Sequence, residues 1–360
     1  MGITERIRKL RQLFKEKEIE GLLVSHPINC YYLSGFIGSA GYLLITENRL
    51  IIIVDFRYTE QAKRQSPDFE LFNLVGPMED WFSQLVGSLK IKKLGFESNN
   101  VTFILYRQLT EILQKKQLPL QLIPTDGLVE SLRAVKEPAE IELINKAVEI
   151  SDRAIAHVRQ VIRPGMSELA VAWEIEKYMR ENGSGTIPFE LIVAAGPNAA
   201  LPHAHPSERP IRSGEPIMID IGARYQSYTS DLTRTICLGQ PDSTFQKVYD
   251  TVLGAQLAAI AIIKENLSGE AADAIARTVI QEAGYGENFG HGLGHGIGLE
   301  THEAPRLGSR SSDKLANGMV FSIEPGIYLP GWGGIRIEDT VVLEKSKIKI
   351  LSKAEKIAKS

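Results

Sequence analysis

The sequence predicts a mixed α/β (α+β) protein of two domains, residues 1–130 and 131–360. Three observations lead there. Up to about residue 130, short apolar runs alternate with amphipathic segments, the order of a mixed sheet covered by helices. At AVKEPAE (134–140) the pattern changes to long helices followed by strands. That order of helix, helix, strands then recurs about a hundred residues later, which points to an internal duplication with two similar halves facing a shared cleft.

The elements follow in order. Residues 3–18 form a charged amphipathic helix, GLLVSH (21–26) a short buried strand, and YLLIT (42–46) and RLIIIVDF (49–56) neighbouring strands. RYTEQAKRQ (57–65) reads as a helix, KKLGFES (92–98) as a strand and ILYRQLTEILQKK (104–116) as a helix. In the second domain Pro138 suits a helix start, and Ile141, Ile144, Val148, Ile155 and Val158 recur at helical spacing. Ser167 and Glu168 suit the start of a second helix, SELAVAWEIEKYMREN. FELIVAAG, EPIMIDIGA and SDLTRTICLG are strands. The second round begins with helices over 243–267 and 269–286.

Its strands include GHGLGHGIGLETHE (290–303), which holds three of the chain's seven histidines. Glycine at every second position from Gly290 to Gly298 argues against a helix, at roughly 1 kcal/mol per glycine. Extended chain would place His291, Leu293, His295 and Ile297 on one face and leave bare backbone on the other, open to close approach; a glycine-rich loop is the alternative. A nucleotide loop is a poor fit, because no helix-forming segment follows.

Composition excludes several classes. A formal net charge of −3 gives no electrostatic case for nucleic acid or an anionic membrane. Two cysteines, Cys30 and Cys237, imply neither a disulfide framework nor a cysteine zinc site. The N-terminal segment reads as a helix, not a signal peptide, and Arg6 stands where myristoylation needs Ser or Thr. No apolar run approaches the roughly 20 residues of a membrane span. The expected compartment is the cytoplasm.

Four carboxylates sit at strand-like positions in apolar company: Asp220 in IMIDIGA, Asp231 in YTSDLTRT, Glu324 in FSIEPGIY and Glu338 in GGIRIED. An ionised acid in such a setting is costly unless paired or bound to a cation. Arg234 and Arg336 are candidate partners, but they are too few for four acids. With one histidine added, the donor set suits divalent Mn, Co, Zn or Fe. Five protein ligands exceed what one catalytic zinc takes and suit two metal ions sharing a hydroxide. The chemistry implied is hydrolysis.

These motifs resemble the M24 metallopeptidase family, the pita-bread fold, in the branch of prolidase and aminopeptidase P. DIGARYQSYTSDLTRT, GHGIGLETHE, IEPGIY and GIRIED carry the resemblance in the second domain. GLLVSHPINCYYLSGFIGSAGYLLI with VDFRYTEQA resembles the creatinase-type N-terminal domain of that branch. The resemblance implies Asp220 as terminal ligand of one metal ion, His295 and Glu324 as terminal ligands of the other, and Asp231 and Glu338 as bridges. It implies cleft roles for His203, His291 and His302, and for Arg336, placed to orient Glu338 or bind substrate. Tyr328 is a further candidate cleft hydroxyl. It also implies two divalent ions (Mn²⁺ first, with Co²⁺, Zn²⁺ or Fe²⁺ as alternatives), a homodimer, and hydrolysis of the Xaa-Pro bond of dipeptides or short peptides, with Glu324 shuttling a proton. Two rival readings are a creatinase-like non-peptide hydrolase and a metal-free binding module. The complete ligand set disfavours both.

Overall fold

The computed structural model describes residues 2–357. The chain divides into two compact units, Met1–Arg133 and Ala134–Ser360.

In the first unit β1 (Gly21–Val24), β2 (Tyr42–Thr46), β3 (Leu50–Val54), β4 (Glu70–Asn73), β5 (Lys93–Glu97) and β6 (Gln121–Thr125) form one sheet, ordered β4-β3-β2-β1-β5-β6. β1, β5 and β6 are parallel, as are β3 and β4, while β2 runs against both its neighbours. The apolar runs that mark β1, β2 and β3 in the sequence are buried along nearly their whole length. β4 and β6 were hidden in the sequence because they are edge strands with mostly solvent-touched residues, so they lack an apolar signature. Helices α1 (Ile3–Glu16), α2 (Pro27–Ser34), α3 (Thr59–Gln65), α4 (Met78–Gly87), α5 (Phe103–Lys115) and α6 (Leu128–Ala134) connect the strands. The carboxyl ends of β1, β3, β4 and β5 open onto one edge. The segments that leave that edge, or enter β2 from it, expose Ile37, Phe56, Val75, Phe103 and Ile104, with Phe56 85% and Phe103 75% accessible.

The second unit is built twice from one plan. Helices α7 (Pro138–Val161) and α8 (Glu168–Glu181) precede an antiparallel sheet β11-β8-β7 of β7 (Ile192–Ala195), β8 (Pro216–Ile221) and β11 (Leu232–Cys237). Between β8 and β11 lies a small hairpin, β9 (Arg224–Tyr225) and β10 (Tyr228–Thr229). Helices α9 (Ser243–Ile262) and α10 (Gly269–Glu282) precede the second sheet, β13-β12-β14-β17-β18. Its strands are β12 (Gly294–Gly296), β13 (Glu303–Leu307), β14 (Val320–Ile323), β17 (Asp339–Glu344) and β18 (Lys347–Ile350). A hairpin of β15 (Gly326–Leu329) and β16 (Gly333–Arg336) interrupts it.

The repetition reaches individual hydrogen bonds. Ser167 caps α8 by accepting from the Ala170 amide, and Ser268 caps α10 by accepting from the Ala271 amide. The next two amides then donate to a returning irregular segment in both halves: Glu168 to Arg209 and Leu169 to Ser207, then Gly269 to Asp313 and Glu270 to Ser311. The α7 start expected at Pro138 is reinforced by a capping box of Glu137 and Glu140. Each half encloses its own apolar core, the first around Val158, Ile175 and Ile219, the second around Val252, Ala276 and Phe321.

The glycine-rich segment is regular strand only over Gly294–Gly296, with a register shift against β13 between His295 and Gly296. The single extended face predicted for residues 291–297 is therefore broken. The close approach is present. A Cβ on Gly294 would run into the Ser322 carbonyl oxygen of β14, and one on Gly296 into the Ala304 carbonyl oxygen of β13.

Candidate metal centre

The duplicated plan decides where the acids go. β8 and β14 are the middle strands, each hydrogen-bonded to a strand on either side. Asp220 lies near the end of β8 and Glu324 directly follows β14. Asp231 directly precedes β11, and Glu338 directly precedes β17. Each half thus supplies one acid from the end of its middle strand and one from the start of its next long strand. Oxygens of Asp220, Asp231 and Glu338 lie within 4.8 Å of one another. Nε2 of His295 is 3.6 Å from Asp231 and 3.2 Å from Glu324. All five side chains gather at one point.

The protein's own groups compensate these acids poorly. Oδ1 of Asp220 and Oε1 of Glu338 are buried with no hydrogen-bond partner. Leaving a buried acceptor unmet costs about 1–3 kcal/mol, and more when it is charged. Burial raises the pKa of Asp231, and the charges of Glu338 and Asp220 raise it further. Burial, then Glu324 and Asp220, do the same to Glu338. Asp220 is raised too, by burial, although the guanidinium of Arg336 opposes it. Burial would also raise Glu324, but its hydrogen bond to His295 and the charges of His295, His291 and Arg336 hold it down at about 2. Burial works against charge on His295, yet Glu324 outweighs it and its pKa rises. Orphaned acceptors, crowded carboxylates and one imidazole are a donor set that fits divalent cations.

The histidine segment takes its support from elsewhere. On α10, Asp273 accepts from the Leu293 amide at 2.9 Å, and Arg277 donates to the carbonyls of Phe289 (2.8 Å) and His291 (2.7 Å). Ser322 accepts from the His295 amide at 3.0 Å and donates to Glu324 at 2.9 Å, so one hydroxyl holds the His295 main chain and the Glu324 side chain. Thr233 does the same for Glu338, donating to Oε2 at 2.7 Å. Sequence reasoning missed Ser322 and Thr233. Each stands two residues from an acid on an extended chain and shares its face, which was the available signal.

The remaining candidates surround the group. Nδ1 of His291 donates to the Gly292 carbonyl at 2.8 Å, so Nε2 accepts from the Tyr328 hydroxyl, also at 2.8 Å. Burial lowers the His291 pKa, which favours that neutral form. Arg336 donates to the same hydroxyl at 2.8 Å and to Asp220 at 2.5 Å. Burial pushes Tyr328 up to about 12 although Arg336 opposes it, so it remains a phenol. Arg336, which the sequence places to orient Glu338 or bind substrate, grips Asp220 directly and reaches Glu338 through Thr233. Arg234 pairs with Asp339 and with none of the four acids. His302 is exposed, its ring 4.0 Å from that of His295. His203 is exposed, and its charge bears on both His291 and His302.

Residues 142–345 match metallopeptidase family M24, and residues 6–135 match the creatinase/prolidase N-terminal domain. The fold superposes on a solved Xaa-Pro dipeptidase from Bacillus anthracis with a TM-score of 0.95, at 42% identity over 99% of each chain. A solved X-Pro aminopeptidase from Thermotoga maritima MSB8 gives 0.89 at 39% identity, over 98% of this chain and 99% of that one. The Xaa-Pro dipeptidase of Pyrococcus horikoshii is 38% identical over 98% of both sequences. The architecture is thus a creatinase-type N-terminal domain with a pita-bread domain. A match over most of the second unit, likenesses spanning nearly the whole chain, and ligand-type acids converging from both halves lead to one assignment: this chain belongs to metallopeptidase family M24.

Proposed function

We propose that this protein hydrolyses the bond before proline at the N-terminal end of a dipeptide or short peptide, with two divalent ions held by Asp220, Asp231, His295, Glu324 and Glu338. The observation that carries the reading is the convergence of these five side chains with two buried oxygens unmet. Asp231 and Glu338, one from each half, are the bridges. Mn²⁺ is the first choice of ion. When bound, the ions supply a water activated at neutral pH and a Lewis acid for the scissile carbonyl.

The chain's own residues do the rest. Glu324 takes the proton of the attacking water and delivers it to the proline nitrogen. The hydrogen bond and charge of His295 hold it ionised, the form that can accept a proton. His302 and His203 line the cleft and donate to substrate carbonyls. His291, Tyr328 and Arg336 form a chain of hydrogen bonds that ends on Asp220 and holds that ligand still. Proline lacks an N–H and fixes φ, so its tertiary amide needs a dedicated pocket.

Release of proline from an Xaa-Pro dipeptide is expected in the presence of Mn²⁺ and is expected to stop on chelation. An N-acetylated substrate should be poor, because the free amino group has lost its charge. The names of the relatives divide between dipeptidase and aminopeptidase, so the decisive comparison adds an Xaa-Pro-Yaa tripeptide. A protein that binds no metal and cleaves neither substrate would return the binding-module reading.

The protein is also proposed to be a homodimer. The support is the row of exposed apolar side chains at one edge of the first unit, among them Phe56, Phe103 and Ile104. Sedimentation equilibrium should show a dimer for the wild type and a monomer for Phe56→Glu. A wild type that stays monomeric at tens of micromolar would end this part of the proposal.

A further inference from the structure

The C-terminal residues Leu351–Lys356 have no regular secondary structure, yet their hydrogen bonds lead to both proposed bridging acids. The first route passes through Thr340. The Leu351 amide donates to the Thr340 carbonyl, and Ser352 Oγ accepts from the Thr340 amide at 3.0 Å. The Thr340 hydroxyl in turn donates to the Asp231 carbonyl at 2.7 Å and accepts from the Asp231 amide at 3.3 Å. The second route passes through Arg234, only 1% exposed. The Ala354 carbonyl accepts from Arg234 Nε at 3.2 Å and from Nη2 at 2.7 Å. The other terminal nitrogen of Arg234 donates to the main-chain carbonyl of Glu338. Next to Glu338 stands Asp339, fully buried, with Arg234 at 2.8 Å on one oxygen and Lys356 at 2.5 Å on the other. Asp152 on α7 anchors the segment by accepting from the amides of Lys353 and Ala354, both at 2.8 Å.

We infer that this segment is a strap that positions the two bridging acids, with Lys356 its charged anchor; the inference rests on the metal-site reading above. A carboxylate can sit no more steadily than its own main chain. The main chains of Asp231 and Glu338 are held in part by Thr340 and Arg234, and both of these also bond the strap. The cluster balances two cations, Arg234 and Lys356, against Asp339 and Asp152. Removing Lys356 leaves one oxygen of a fully buried acid without its cation. Arg234 is then drawn toward Asp339 and loosens its hold on the Glu338 carbonyl. Lys356 is a positioning residue, since it touches neither substrate nor the ligand side chains.

Charge and position predict opposite signs, which makes the inference testable. Added negative charge alone would draw cations and tighten binding. Lost positioning weakens it, and outer-shell partners of metal ligands are worth about 10–100-fold in affinity. The experiment is competition for Mn²⁺ against a chromogenic chelator, using the full chain, alongside the rise in melting temperature that Mn²⁺ produces. Lys356→Met and the charge-neutral Ser352→Ala should each weaken binding about 10-fold and shrink that rise. Lys356→Arg should keep both near wild type. If Lys356→Met binds as tightly as the wild type or tighter, or if Ser352→Ala lowers only the metal-free melting temperature, the strap is structural and the inference is overturned. If the wild type binds no Mn²⁺, the site reading beneath it fails first and the strap goes with it.

Discussion

Asp231→Asn is expected to weaken both metal ions together, by about 100-fold or more, and to bring turnover down with them. Asp231 stands within 4.8 Å of Asp220 and Glu338 and 3.6 Å from His295, so it lies among donors from both halves of the domain. Asparagine keeps the shape but offers a neutral oxygen and one amide group that repels cations. The same substitution should act in the opposite sense on the metal-free protein. There, the buried charge of Asp231 is opposed by Glu338, Asp220 and Glu324, and removing it relieves the repulsion. A higher melting temperature is expected for the metal-free variant, because an unpaired buried charge is costly. Chelator competition reads the first effect, and thermal unfolding in excess chelator reads the second. If one ion stays at wild-type affinity, Asp231 is not a bridge. If the metal-free variant is less stable than the wild type, the crowding argument is wrong.

His295→Ala and His302→Ala should separate cleanly although their rings are 4.0 Å apart. His295 faces Glu324 at 3.2 Å and Asp231 at 3.6 Å. Its loss should remove one ion and nearly all turnover. His302 is exposed beside it, and the proposed function has it meet substrate and not metal. His302→Ala should retain both ions while kcat falls about 100-fold, the scale of a lost proton or hydrogen-bond donor. Metal content by elemental analysis and steady-state kinetics on the same samples decide the matter. Loss of an ion from the His302 variant would show that the ligand histidine has been assigned to the wrong ring.

Much of this was legible without coordinates. The two-round order of helices and strands in the second unit came from hydrophobic period and caps, signals carried by residues a few positions apart. The four acids stood out because each is a charge inside an apolar run. The shorter elements of the first unit, β4, β6, α2, α4 and α6, were not legible, since edge strands and one- or two-turn helices bury too little to leave a pattern. The histidine segment, legible as extended chain or loop, is strand only over Gly294–Gly296, because glycine alternation marks where neighbours come close and does not report how many residues pair.

The amino-acid sequence by itself determined which side chains could form a metal site and which strands would carry them, because residue type and local period are properties of neighbours along the chain. Only the tertiary structure decided which groups meet: that Arg336 takes Asp220 and leaves Glu338 to Thr233, that Arg234 serves Asp339, and that the last residues reach back toward Asp231 and Glu338. Those partners are separated by up to 120 positions in the sequence, and no local pattern encodes such a meeting. It is set by how the two apolar cores pack.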